Sequence, residues 1–172
     1  MTEPGAEPRA IPDPGFAEDD GSAPPEVSRA LAGWAAGSTT YAGALGTLQR
    51  SRVLVPVVAV LGELEEGGPG PAREKTSEMV TPLLHGADGR QALLAFTSTQ
   101  ALSVWNPEAR PVPVATAEAA RSALEAGAAA LVVDIAGPVR FVVEGEDLLG
   151  LAEGWSLARV GGQSAWIRPM AE

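Results

Sequence analysis

The stretch TAEAARSALEAGAAALVVDIAGPVRFVV, residues 116–143, decides the fold class of this chain. Thr116 is a typical N-cap residue before an alanine-rich segment, and Gly127 is the residue type that ends a helix. Two apolar runs follow, Ala130–Ile135 and Val139–Val143, which read as strands joined at a Gly-Pro step. A helix that leads into two strands joined by a tight turn predicts an α+β fold.

Two more helices are predicted near the beginning of the folded part. Pro25 and the acidic residue after it suit a first helical turn, so we expect a helix from Pro25 to about Ala36. Thr39 or Thr40 then caps a second helix, because three large apolar residues follow at helical spacing.

The middle of the chain has the pattern of strands. The nearly continuous apolar run Val53–Leu61 predicts a buried strand, in which Pro56 indicates an edge or a bulge. Met79–Leu84 and Arg90–Phe96 flank the step Asp88-Gly89, which is a strong hairpin signal.

The remaining elements are short. Thr97 or Ser98 caps a short helix that reaches Trp105. Further along come a brief strand around Val112, a last helix Asp147–Ala152 and a closing hairpin of Ser156–Val160 and Ser164–Arg168. Strand pairs joined by tight turns, with helices between them, predict a mixed, largely antiparallel sheet with helices packed on it.

Residues 1–25 differ from the rest in composition. They contain six prolines and six acidic residues against one arginine, so they cannot bury enough apolar surface to offset the ordering entropy. We therefore expect a disordered acidic arm over 1–25 and a single domain over 26–172. The Gly- and Pro-rich segment Gly62–Lys75 is expected to be a mobile acidic loop.

Composition also excludes several kinds of chemistry. The chain has no cysteine and one histidine, so thiol nucleophiles and thiolate metal sites are excluded, and we expect no metal site. Its net charge is −10 and its eleven arginines and one lysine are scattered, so we expect no direct nucleic-acid binding. We also expect no signal peptide, no membrane association and no cofactor, and therefore a soluble cytoplasmic protein.

A series of short motifs resembles a known family: Met79-Val80-Thr81, Asp88-Gly89-Arg90, Ala95-Phe96-Thr97-Ser98, Trp105, Gly127-Ala128, Leu131-Val132-Val133-Asp134 and Ala136-Gly137-Pro138. Their order and spacing resemble the SseB-family N-terminal domain, in its actinobacterial form, over roughly residues 45–152. The resemblance implies an α+β fold in a bacterial intracellular protein and no established activity. One position departs from the family pattern, since Ile135 stands where proline is expected after Asp134.

Four residues are candidates for binding a small ligand. Thr97 and Ser98 begin a predicted helix, where backbone N–H groups attract anions, and His85 and Arg90 are expected nearby across the hairpin. For three of them a structural role is the more ordinary explanation, a helix cap for Thr97 and Ser98 and an exposed strand end for His85. No catalytic residue is assigned.

Two tryptophans are candidates for contact with another protein. Trp155 and Trp166 belong to the predicted C-terminal hairpin, and tryptophan is a common anchor of protein interfaces. The leading hypothesis is a non-catalytic interaction or regulatory module that acts on another protein. The alternatives are a domain that binds a small anion or nucleotide through Thr97 and Ser98, and an enzyme that uses dispersed carboxylates such as Glu146.

Overall fold

The structure, a computed structural model, describes residues 15–61 and 77–171. Within these ranges the helices are α1 (Pro25–Ala35), α2 (Tyr41–Gln49), α3 (Thr99–Trp105), α4 (Thr116–Glu125) and α5 (Gly145–Ala152). The strands are β1 (Arg52–Leu61), β2 (Ser77–Val80), β3 (Leu83–His85), β4 (Gln91–Ala95), β5 (Arg110–Ala115), β6 (Ala130–Val133), β7 (Phe141–Glu144), β8 (Ser156–Val160) and β9 (Gln163–Ile167). None of these helices is long and apolar enough to cross a membrane.

The strands form two linked sheets and a separate hairpin. One sheet has the order β2-β1-β5 and the other the order β3-β4-β6-β7. Two backbone hydrogen bonds between Leu54 and Phe96, 2.7 and 2.8 Å long, join them. Of the described strand pairs only β4 and β6 are parallel, and β8 pairs with β9 alone. The predicted α+β fold with a mixed, largely antiparallel sheet is confirmed.

The side chains of β1 alternate between two cores because successive residues of a strand face opposite sides. Val53 and Val55 pack in the larger core with residues of α1, α2, α4 and α5. Leu54 faces the other side, where it packs with Phe96 and with Leu102 of α3. Four helices therefore cover one face of the joined sheets and α3 covers the other.

Prolines block one edge of the sheet. Leu54 bonds to Phe96, so Pro56 directs its ring nitrogen to the same side. Among the described residues, β1 has no ladder partner on that side between Leu54 and Val58. Pro56 therefore lies in the central strand, not at the predicted edge or bulge. Pro111 is opposite Pro56, and by the same alternation Pro111 and Pro113 turn towards the outer edge of β5, which consequently lacks donors at these two positions.

Two local predictions differ from the structure. The predicted strand Met79–Leu84 is two strands, because β2 pairs with β1 whereas β3 pairs with β4. Thr116 does not cap α4 but is its first residue; its buried hydroxyl donates to the carbonyl oxygens of Leu48 and Ser51 at 2.8 and 2.9 Å. A tertiary contact to the end of α2 thus replaces the local cap.

Residues 15–24 pack against the domain, although the sequence assigns them to the disordered arm. Asp19 forms an ion pair with Arg52, and the carbonyl oxygen of Gly21 accepts a hydrogen bond from the Thr99 N–H at 2.7 Å. Polar contacts to residues distant in sequence hold this segment against the domain. Composition alone does not reveal such contacts. Residues 1–14 of the predicted arm and the predicted loop Gly62–Lys75 lie outside the described residues.

Candidate functional site

A buried polar cluster lies at the carboxyl ends of β4 and β6. Asp134, only 1% exposed, follows β6 and has a positive φ of 51°. Its carboxylate accepts hydrogen bonds from the backbone N–H and the hydroxyl of Thr97, at 2.8 and 2.7 Å. Burial raises the pKa of Asp134, and the two bonds from Thr97 oppose that rise.

Arg52 connects this cluster to the N-terminal segment. Its guanidinium donates to the carbonyl oxygens of Thr97 and Ser22 and forms a two-point ion pair with Asp19. The Arg52 side chain is 7% exposed and that of Asp19 15%. The hydrogen bond from Arg52 is the main reason why the pKa of Asp19 is lowered. The charge of Arg52 is therefore compensated within the chain.

At the predicted anion site at the start of α3, the donors of Thr97 and the Thr99 N–H are already used within the chain. Thr97 donates to Asp134, as described, and the Ser98 hydroxyl oxygen caps α3 by accepting from the Ala101 N–H at 3.0 Å. The Thr99 N–H donates to Gly21. The N-terminal segment thus contacts the start of α3, where an anion is predicted to bind.

The other two predicted ligand residues lie at the opposite end of β4. Since a strand rises about 3.3 Å per residue, Arg90 and Thr97 are roughly 20 Å apart. Arg90 is exposed and bonds to Asp88 at 2.6 Å and Glu144 at 3.3 Å, while His85 is an exposed neighbour of Gln91. The structure therefore does not bring the four predicted ligand residues together.

Trp155 and Trp166 both pack against the domain. Trp155 is 8% exposed, lies under the guanidinium of Arg168 at 4.3 Å, and is not available to a partner. Trp166 is half-buried and donates its indole N–H to Asp147 at 2.8 Å. Its ring lies directly against Gly150, where an added Cβ would come within 2.5–2.8 Å of three ring carbons. Trp166 therefore fixes the hairpin to α5.

The β8–β9 hairpin has two open edges. Gly161 and Gly162 have φ of 58° and 84°, a two-residue turn that makes Val160 and Gln163 a hydrogen-bonded pair. By alternation, the backbone groups of the non-bonded pairs, Leu157 with Trp166 and Arg159 with Ser164, point outwards. In the described part of the chain, no backbone bond links these four residues to another element.

The outer face of the hairpin carries exposed apolar residues beside the polar residues Ser156 and Gln163. Val160 and Ile167 are 59% and 50% exposed, and Ala158 and Ala165 lie between them on the same face. The inner face carries Leu157 and Trp166, which pack against the larger core. The hairpin consequently presents an apolar surface that the domain itself does not use.

A cavity of about 370 Å³ lies between α2, the beginning of α5 and the hairpin. Its walls are aromatic and aliphatic, and its acidic groups come from the first turn of α5; the main lining residues are Tyr41, Leu45, Glu146, Asp147, Leu157 and Trp166. Across residues 15–61 and 77–171, no group of three or more histidine or acidic residues is placed to hold a metal ion.

Sequence patterns alone miss several residues of these sites. Asp19 lies in the segment assigned to the arm, and Arg52 lies at the start of a strand, 33 positions away. Tyr41 is visible only as an apolar position of α2, although its hydroxyl donates to the Val142 carbonyl oxygen at 2.8 Å. No local signal marks these pairings, because they join residues that are distant in the chain.

These features define a class of protein: an α+β domain whose buried polar cluster is contacted by the N-terminal segment. The domain also has a hairpin with two unpaired edges and a cavity beside that hairpin. The family model of the SseB protein N-terminal domain matches residues 27–149, from α1 into α5, and the chain belongs to this family. No curated protein and no solved structure matches the chain.

Proposed function

We propose that this SseB-family domain is a non-catalytic protein-interaction module whose contact surface is the β8–β9 hairpin. The observation that carries the proposal is the pair of open edges together with the exposed apolar face of Val160 and Ile167. A two-stranded hairpin is marginally stable by itself, so it depends on its attachment through Trp166 and gains stability from any strand added to it.

The partner that fits this surface is an extended peptide segment of another protein. Such a segment pairs its backbone with the free groups of an exposed strand, and its alternate side chains face the two sides of the hairpin. The edge of β5 is unsuited to this contact because Pro111 and Pro113 provide no donors there. The hairpin edges contain no proline between Ser156 and Ile167.

The experiment is capture of partner proteins from an extract of the source organism with matched surface variants. The double variant Val160→Lys, Ile167→Lys places two charges on the outer face of the hairpin. The control variant, Val104→Lys, changes a residue of α3 that is 66% exposed. We expect a protein that is retained by the wild type and by Val104→Lys and lost from the double variant. Retention of the same proteins by all three would refute the hairpin as the contact surface.

The folded state of the double variant is checked by the Trp166 indole N–H signal in a ¹⁵N NMR spectrum. This group reports the attachment of the hairpin, because it donates to Asp147 across the junction with α5. An unchanged signal means that a loss of capture comes from the outer face and not from unfolding.

A further inference from the structure

The cavity beside the hairpin has acceptors and almost no donors. The Tyr41 hydroxyl donates to Val142 and the Trp166 indole N–H donates to Asp147, so neither aromatic residue has a proton left for a ligand. The second carboxylate oxygen of Asp147 and both oxygens of Glu146 form no hydrogen bond or ion pair with the described residues. Of the lining side chains, only the Ser164 hydroxyl can still donate.

The cavity is also electrically negative and lacks a compensating cation. Among the described residues, its lining includes two carboxylates and no basic residue. The pKa of Tyr41 is raised, first by burial and then by the charges of Asp147 and Glu144, so the negative field reaches the aromatic wall. A helix start accounts for acidic residues in the first turn of α5, but it does not account for a cavity beside them in which both aromatic donors are already used.

The position of the cavity relates it to the hairpin edge. Ser164 and Trp166 line the cavity, and they are the residues of β9 whose backbone groups point outwards. Side chains alternate along a strand, so a peptide paired with β9 directs every second side chain to the face that carries Trp166. The intervening side chains of the peptide lie on the opposite face, where β9 presents the apolar residues Ala165 and Ile167.

We propose that this cavity receives the arginine side chain of the peptide that docks on β9, with an apolar residue on each side of that arginine. The proposal rests on the proposed function. The guanidinium meets the free oxygens of Glu146 and Asp147, and its planar group and aliphatic stem lie along Trp166 and the leucine side chains. A volume of about 370 Å³ is within the range of ligand pockets.

The test uses the blocked peptide acetyl-Ser-Val-Arg-Val-Ser-amide and the same peptide with citrulline in place of arginine. Citrulline keeps the shape and removes the charge. Titration into ¹⁵N-labelled protein is expected to shift the Trp166 indole signal and the Glu146 and Asp147 amides with the arginine peptide. The citrulline peptide is expected to bind about tenfold more weakly, since a charge-assisted hydrogen bond is roughly twice as strong as a neutral one.

Matched variants place the effect in the cavity. Glu146→Gln with Asp147→Asn removes both charges and keeps an acceptor for the Trp166 indole, so binding of the arginine peptide should weaken about tenfold. Glu153→Gln removes one charge at the other end of α5, outside the lining, and should leave the Kd unchanged. Equal weakening by Glu153→Gln would overturn the proposal, because the effect would then be that of overall charge.

Failure of this proposal can be told apart from failure of the proposed function. Equal affinity for both peptides, with shifts of the Ala165 and Ile167 amides, would overturn the arginine site and leave docking on the hairpin intact. No shift in the hairpin or the cavity at millimolar peptide would count against both. Shifts of Trp166 caused by argininamide alone, without binding of either peptide, would overturn the peptide as the occupant.

Discussion

Replacing Gly150 by alanine tests how the hairpin is attached. In a helix interior this change ordinarily stabilises a protein by about 1 kcal/mol. At Gly150 the added Cβ would lie 2.5, 2.6 and 2.8 Å from three ring carbons of Trp166, closer than real contacts allow. Trp166 must then move, and overpacking of this kind costs about 1–3 kcal/mol.

The matched control is Gly46→Ala in α2. There the nearest atoms to the added Cβ are on Arg50 and Leu157, at 3.8 and 4.0 Å, which are ordinary contacts. We expect Gly46→Ala to raise the free energy of unfolding by about 0.5–1 kcal/mol and Gly150→Ala to lower it by up to about 2 kcal/mol. The two variants should therefore differ by about 1–3 kcal/mol.

Urea unfolding followed by circular dichroism measures this difference, and the Trp166 indole N–H signal shows whether the ring has moved. In a Trp166→Leu background the clash is removed, so Gly150→Ala should become neutral or stabilising. The reasoning would be refuted if Gly150→Ala stabilised the protein as much as Gly46→Ala does and left the Trp166 signal unchanged.

Two further predictions concern the buried polar cluster. Burial raises the pKa of Asp134, so the folded state binds its proton more tightly and loses stability as pH rises through the folded pKa. Asp134→Asn keeps an acceptor for Thr97, and asparagine tolerates the positive φ. Urea unfolding of this variant should therefore show an undiminished free energy of unfolding at pH 7 and a weaker dependence of that free energy on pH. A large loss of stability at pH 7 would contradict this. The pKa of Asp19 is lowered, so its contribution is present at neutral pH and lost as pH falls through that pKa. Asp19→Asn should lower the free energy of unfolding by about 1–3 kcal/mol at pH 7, because Arg52 then keeps a buried charge without its ion-pair partner. The control, Asp20→Asn, should not change the urea midpoint. Equal effects of the two variants would contradict the role of the ion pair.

The fold could be predicted where local patterns and tertiary structure agree. Cap and turn chemistry predicts the helix before Gly127, the strands on both sides of the Gly137-Pro138 step and the closing hairpin at Gly161-Gly162. The resemblance to the SseB family is also confirmed. The break between β2 and β3 could not be predicted, because it depends on which strand each half pairs with. The same is true of Thr116, whose hydroxyl contacts the end of α2.

The candidate sites were less accessible to sequence reasoning. Thr97 and Ser98 do begin a helix, but whether their donors are free depends on Asp134 and on Gly21, which are distant in sequence. The predicted proximity of Arg90 to Thr97 fails because β4 separates them. Identifying Trp166 as the anchor of the hairpin required the packing against Gly150, which no periodicity indicates.

Site-specific photocrosslinking in living cells tests the central claim most directly. A photoreactive benzoylphenylalanine is placed either at Val160 on the outer face of the hairpin or at Val104 on α3, two positions of similar exposure, 59% and 66%. We expect irradiation to give one dominant protein adduct from position 160, suppressed by an excess of unlabelled wild-type domain, and none from position 104. The absence of an adduct from position 160, or the same adduct from both positions, would contradict recognition through the hairpin.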